Sequence, residues 1–415
     1  MEYISVKETA EKWNISVRAV QTMCKNGLIW GVQKWERSWM VPSDAVRPAD
    51  KRMKEASLSE SFTPSLMPRE SPFICFTDLY QTPGEADDVF CRLKEAGMHE
   101  AAALYSAQIS YYRGDIDKAL VMARDFLNIN SDYYTVMGSG AVLSVCAMYL
   151  GDAGLWTDAK KHIFTAPCRN DTDREVCSFW IAATDSSLYD GKSFPEWFTS
   201  GCFDILAQDS YPLARFFYIK FLLLYALELA SGKSADDRTE RLGLMKVLPN
   251  IIEPMISQSR VDKVLLEELY LRLLCAVAYH NIGKDEKAVM HIDKAIALAL
   301  PDGLYGILTE HIRPLDKLLD NRLKAVSPDA QKKVRKLNKQ LMDGWVKLHN
   351  SLYERNVTNK LSVREGEVAK LAAFGLSNKE IASQIGITEN SVKSAITMIM
   401  NKTGASDRRE LGIYM

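Results

Sequence analysis

From about Phe73 to about Asp320, apolar residues recur every three to four positions, with few of the alternating runs that mark strands. That pattern predicts long helices packed on one another. Three segments inside it share a glycine followed five residues later by an alanine: Gly114 with Ala119, Gly154 with Ala159, and Gly283 with Ala288. A turn glycine between two helices, with a small residue where they cross, is what a stacked helix pair requires. The expected fold class is mainly α, with a central α-solenoid of helix pairs and an irregular helical bundle as the alternative.

Near both ends the pattern shortens into nearly the same frame, SVKETAEKWNIS at 5–16 and SNKEIASQIGIT at 377–388, related by an offset of 372. Ser5 with Glu8, and Ser377 with Glu380, each form a Ser-x-x-Glu capping box that starts a helix. Ala10 and Ala382 allow a second helix to pass close, and Trp13 or Ile385 supplies an apolar anchor. Asn14 and Gly386 tolerate the left-handed conformation that ends the first helix, and Ser16 and Thr388 cap a second one. The frames therefore predict two helix-turn-helix units.

Their second helices differ in what they turn outward. With Val17, Val20 and Cys24 on the buried face, Arg18, Thr22 and Lys25 lie opposite, with Gln21 beside them. In the C-terminal frame Val392, Ile396 and Ile399 form the buried stripe. Asn390, Ser394, Thr397 and Asn401 lie opposite it, with Lys393 on the flank. Such polar or basic faces can bond to base edges in a major groove, while a helix N-terminus favours phosphate.

Between these elements, 28–48 predicts two short strands about the turn WERS, a wing whose Lys34 and Arg37 would lie along a phosphate backbone. Residues 49–72, rich in Ser, Pro and charge, read as a linker, and 321–355 as a basic connecting helix or an added phosphate-binding surface. The expected domains are thus 1–48, a linker at 49–72, repeats at 73–320, a connecting helix at 321–355 and a final domain at 356–415.

Charge supports this division. Residues 1–54 carry +4, 321–350 carry +6 and 356–415 carry +2, which leaves −13 on 55–320 out of a total of −1. Basic ends around an acidic middle suit a nucleic-acid binder whose centre does not follow the DNA. No stretch approaches the roughly 20 uncharged apolar residues of a membrane helix, and no signal peptide opens the chain, so cytoplasm is the expected compartment. The eight cysteines (24, 75, 91, 146, 168, 177, 202, 275) form no C-x-x-C pair and none has a histidine at zinc-ligand spacing, which predicts reduced, mostly buried thiols and no metal or cofactor. The histidines (99, 162, 280, 291, 311, 349) sit in helical text without a catalytic constellation. Two phosphate-loop endings, DGKS at 190–193 and SGKS at 231–234, have Ser186 and Leu227 where the earlier glycine belongs. An enzyme is not expected.

Three resemblances follow from these residues. The segment around Gly283, with Tyr279, Ala295 and an exit proline, resembles a tetratricopeptide repeat, and the other two glycine frames resemble it loosely. Residues 361–411, through L-S-V-R-E, G-L-S-N-K-E-I-A, E-N-S-V-K and Lys402, resemble the LuxR-type DNA-binding domain. That resemblance implies a four-helix domain in which Lys379 and Lys402 neutralise phosphates. Asn390, Ser391, Lys393, Ser394 and Thr397 would face the groove, with Thr388 and Asn401 at its margins, and the short tail 406–415 would hold a dimer helix. Ala395 stands where the family usually has histidine. Residues 1–48 resemble the excisionase or MerR-like winged helix-turn-helix, which implies DNA contacts from Ser16, Arg18, Gln21, Thr22, Lys25, Lys34 and Arg37.

Repeats joined to a LuxR-type end are similar to large regulators related to the maltose-regulon activator, without their nucleotide-binding module. The expected function is a bacterial transcription regulator. Its repeats would sense a ligand, peptide or protein and control two DNA-binding domains, with double-stranded DNA, RNA polymerase and a second copy as partners. The alternative is an interaction scaffold whose N-terminal domain binds protein while only the LuxR-type end binds DNA.

Overall fold

A computed structural model of the chain describes residues 3–13, 15–25, 29, 32–35, 38–43, 45, 71–188, 194–229, 235–353, 361–403, 405, 408 and 411. The chain divides into two compact units, Met1–Thr63 and Pro64–Met415.

The first unit runs β1 (Tyr3–Ser5), α1 (Val6–Trp13), α2 (Val17–Lys25), β2 (Gln33–Trp35) and β3 (Ser38–Pro42). The strands form an antiparallel sheet in the order β1-β3-β2, with Tyr3 opposite Pro42 and Gln33 opposite Met40. The hairpin falls where the sequence predicts it, and β1 is an addition. Its last residue, Ser5, is also the cap of α1, so a strand only three residues long is hidden by the helix signal that follows it. Val6, Ala10, Trp13, Val20, Cys24, Ile29 and Val41 form the core. Asn14, Gly27 and Arg37 lie outside the described residues.

The second unit is helical. It opens with α3 (Ala86–Glu95), α4 (His99–Tyr112), α5 (Ile116–Ile129), α6 (Tyr133–Leu150), α7 (Ala153–Phe164), α8 (Asp171–Ser186), α9 (Glu196–Thr199) and α10 (Tyr211–Leu229). It continues through α11 (Ala235–Val261), α12 (Leu265–Asn281), α13 (Asp285–Ala299), α14 (Tyr305–Glu310), α15 (Ile312–Val326) and α16 (Pro328–Tyr353). Three shorter helices, α17 (Val363–Ala373), α18 (Asn378–Ile385) and α19 (Glu389–Thr403), complete it.

Consecutive long helices pack on one another, as α4 does on α5 and α12 on α13. Gly114 (φ +79°) and Gly283 (φ +74°) make the turns between those pairs, and Ala119 and Ala288 are fully buried. The middle frame differs. Gly154 lies in the first turn of α7, and Gly151 (φ +63°) makes the turn, so buried Trp156 stands five residues after the true turn glycine.

Four further expectations change. Helix α16 is not a free connector: Val334, Trp345 and Leu348 are buried, and the Trp345 indole N–H donates to the Ser187 carbonyl at 2.9 Å. Gly344 lets α16 lie directly on α6, because a Cβ there would sit 2.3 Å from the carbonyl oxygens of Met148 and Tyr149. Its basic residues face outward, and Arg335 and Lys333 are held by Asp320 and Asp115. The boundary at 320/321 cuts through α15. At the linker's end Ser71 is already buried, its N–H donating to the Asp209 carboxylate, and the Pro72 carbonyl accepts from Gln108. Finally, α6 is 18 residues without a charge, long and apolar enough to cross a membrane by length and composition, with most of it buried among the other helices.

Candidate nucleic-acid interface

In the C-terminal domain, the Ser377 hydroxyl accepts from the Glu380 N–H (3.3 Å) while the Glu380 carboxylate accepts from the Ser377 N–H (2.6 Å). This box starts α18. Gly386, left-handed at φ +69°, ends it, and the Ile387 N–H returns to the Ala382 carbonyl at 3.1 Å. The Thr388 hydroxyl then accepts from the Ser391 N–H (3.1 Å) and opens α19. Both Thr388 and Ser391 hydroxyls are engaged in that cap, 2.8 Å apart.

Helix α19 buries Val392, Ile396 and Ile399. Asn390, Ser391, Lys393, Ser394, Thr397 and Asn401 are exposed, as are Lys379 and Thr388 on the approach. Lys393, Ser394, Thr397, Met398 and Asn401 line one open hollow along the helix. Apart from Lys379, on α18, and Lys402, the side chains named for this frame thus gather on α19 and its N-terminal turn, with Met398, 52% exposed, among them.

Lys402 stands apart. Its ammonium contacts both oxygens of Glu365, at 2.7 and 2.9 Å, tying the end of α19 to the start of α17. There Ser362 and Glu365 form another capping box. Its signal in the sequence is the same Ser-x-x-Glu spacing, inside the L-S-V-R-E segment. Lys402, then the Ser362 N–H, lower the Glu365 carboxyl to about 2. Arg408 extends the same bracing by donating to Asn378 and the Leu376 carbonyl. Apart from residues 405, 408 and 411, the tail expected to hold a dimer helix lies outside the described residues. In the last turn of α17, Lys370 Nζ is 3.4 Å from His280 Nε2 at the end of α12, and His280 Nδ1 is 2.7 Å from Asp285 of α13.

The N-terminal frame repeats the scheme. Ser5 and Glu8 satisfy each other's N–H groups at 2.7 and 3.2 Å. The Ile15 N–H reaches the Ala10 carbonyl at 3.0 Å, and the Ser16 hydroxyl accepts from Ala19 at 3.2 Å. Arg18, Gln21, Thr22 and Lys25 are exposed on α2, and Lys34 on β2 lies 5.7 Å from the Trp39 ring centre. Val17 departs from its expected place: it is 41% exposed, and the stripe is carried by Val20 and Cys24 with half-buried Met23 beside them.

A three-helix core with a capped, outward-facing second helix defines a helix-turn-helix domain. Residues 359–415 match the family model of bacterial regulatory proteins, luxR family, so the chain carries a luxR-family domain at its C-terminus. Among curated relatives, the transcriptional regulatory protein LnrK of Bacillus subtilis (strain 168) is 32% identical over 127 residues, 29% of this chain and 56% of LnrK. The transcriptional regulatory protein YdfI of the same organism is 46% identical over 57 residues, 14% of this chain and 26% of YdfI. The chain thus spans little more than half of one relative and about a quarter of the other. No solved structure matches it.

Proposed function

We propose that the chain is a DNA-binding transcription regulator whose α19 enters the major groove. The observation that carries this reading is the exposed hollow of Lys393, Ser394, Thr397 and Asn401 on a helix whose opposite face is fully packed. A packed stripe fixes the helix, and polar side chains on the free face are then positioned for base edges, with Lys379 and Lys393 beside phosphates. Lys402 acts mainly within the domain, through Glu365. Lys393→Glu places an acid next to phosphate without touching the stripe. In gel shifts on a genomic fragment library it loses specific binding, and retention of wild-type shifts refutes the assignment.

On this reading the repeat region senses a ligand, peptide or protein partner. Its link to the DNA-binding domain is the contact of Lys370 with His280, which sits where α12 ends and α13 begins. RNA polymerase is the partner through which such a regulator acts, and a second copy of the chain would pair half-sites.

In the N-terminal unit, Arg18, Gln21, Thr22, Lys25 and Lys34 form the matching DNA face. Exposed Val17 on α2 favours a second reading, in which this unit docks on a protein. The double substitution Arg18→Ala with Lys25→Ala separates the two. Loss of DNA affinity with a flatter salt dependence supports DNA contact, and unchanged values support docking.

A further inference from the structure

In the repeat region, Glu253 on α11, Cys275 on α12 and His291 on α13 bring a carboxylate oxygen, a sulfur and an imidazole nitrogen within 4.8 Å of one another. His291 Nε2 is 3.6 Å from Cys275 Sγ and 3.9 Å from Glu253 Oε1. An S–N edge of about 3.5 Å belongs to a tetrahedron with Zn–S near 2.3 Å and Zn–N near 2.0 Å. The thiol and imidazole therefore already stand at coordination distance from a shared centre, and a small movement of Glu253 brings in the third ligand.

We infer that these three residues form a zinc site, with a water in the fourth position. A thiolate, an imidazole and a carboxylate suit a borderline-soft ion, and together they neutralise its charge. Cys275 and His291 are buried, while Glu253 is 45% exposed, so the site opens at the carboxylate edge. The Tyr279 hydroxyl donates to Glu253 at 2.6 Å and its ring stacks near His291, which orients two ligands from the surrounding shell. The thiolate is the ligand, so zinc displaces the Cys275 proton to water on binding.

Spacing along the chain conceals this group, because the ligands come from three helices and meet only through packing. Occupancy would fasten α11, α12 and α13 together, next to the α12–α13 turn whose His280 and Asp285 face Lys370. The site thereby names a chemical class for the effector sensed in the function proposed above. Metal binding is measured without DNA, so either reading can fail alone.

The test is a Co2+ titration of the chelator-stripped full chain, followed by competition with Zn2+. The expected result is one equivalent of Co2+ with a sulfur-to-cobalt charge-transfer band and the intense visible bands of four-coordination. Cys275→Ser loses the charge-transfer band, and Glu253→Gln, at the exposed edge of the site, keeps it while binding at least about tenfold more weakly. Co2+ bound without the charge-transfer band, or undiminished binding by Glu253→Gln, overturns the site.

Discussion

In their capping boxes, their turns and the caps of their second helices, the two helix-turn-helix frames run in parallel. Ser5 and Glu8 correspond to Ser377 and Glu380, the Ile15-to-Ala10 return to the Ile387-to-Ala382 return, and the cap of Ala19 by Ser16 to that of Ser391 by Thr388. They diverge in what stabilises that frame. The N-terminal one leans on a sheet, with β1 leading into α1 and β3 alongside, and its second helix is described over the nine residues Val17–Lys25. The C-terminal one is braced by α17, through Lys402 and Glu365, and its second helix continues for 15 residues. One local solution to turning a chain sharply between two helices thus serves two supports. The outward faces are free to differ, basic Arg18 and Lys25 against amide and hydroxyl groups at Asn390, Ser394 and Thr397.

The largest effect should come from the far end of α19. Ile399 is fully buried there, so Ile399→Ala should destabilise the C-terminal domain by about 2–5 kcal/mol in chemical denaturation. Met398→Ala, on the exposed face, should stay within about 0.5 kcal/mol. Near-equal losses from the two would mean that the stripe does not hold α19.

A smaller and matched effect tests the shared part. Ser5→Ala and Ser377→Ala should each cost about 1 kcal/mol of stability in their own units, because each removes the same cap. A clear inequality would show that the supports, and not the frame, carry the start of the first helix.

The mildest test concerns charge. Glu8 is lowered from its ordinary value by the Ser5 N–H first, whereas Glu365 is lowered chiefly by Lys402. A carboxylate depressed in the folded state stabilises above its unfolded value near 4.5, and that contribution disappears as pH falls toward about 2. Lys402→Met should raise the Glu365 midpoint, read by NMR titration, and leave Glu8 where it is. A Glu365 midpoint that stays near 2 would assign the shift to the cap alone.

Much of this comparison is legible in the residues, because capping boxes, a left-handed glycine and a 3.6-residue stripe are local devices. Gly386 and the buried set Val392, Ile396 and Ile399 fall where periodicity puts them. What escapes is what depends on a distant partner. The three residues of β1 become a strand only because Val41 and its neighbours lie opposite. Gly344 looks like an ordinary glycine in a basic helix until α6 is found against it. Gly154 competes with Gly151 for the turn, and only the backbone decides between them. Lys402 resembles a phosphate contact in sequence, and its pairing with Glu365 crosses 37 positions. The Glu253, Cys275 and His291 cluster is hidden for the same reason.

The two frames, alike in construction, are proposed to face unlike DNA sites. This is tested most directly by footprinting the full chain across genomic fragments beside Lys393→Glu and the Arg18→Ala, Lys25→Ala double variant. The account predicts two classes of protected sequence, one lost with each variant, and a log K against log salt slope reduced by roughly one for each phosphate contact removed. A single class that survives Lys393→Glu unchanged would contradict it.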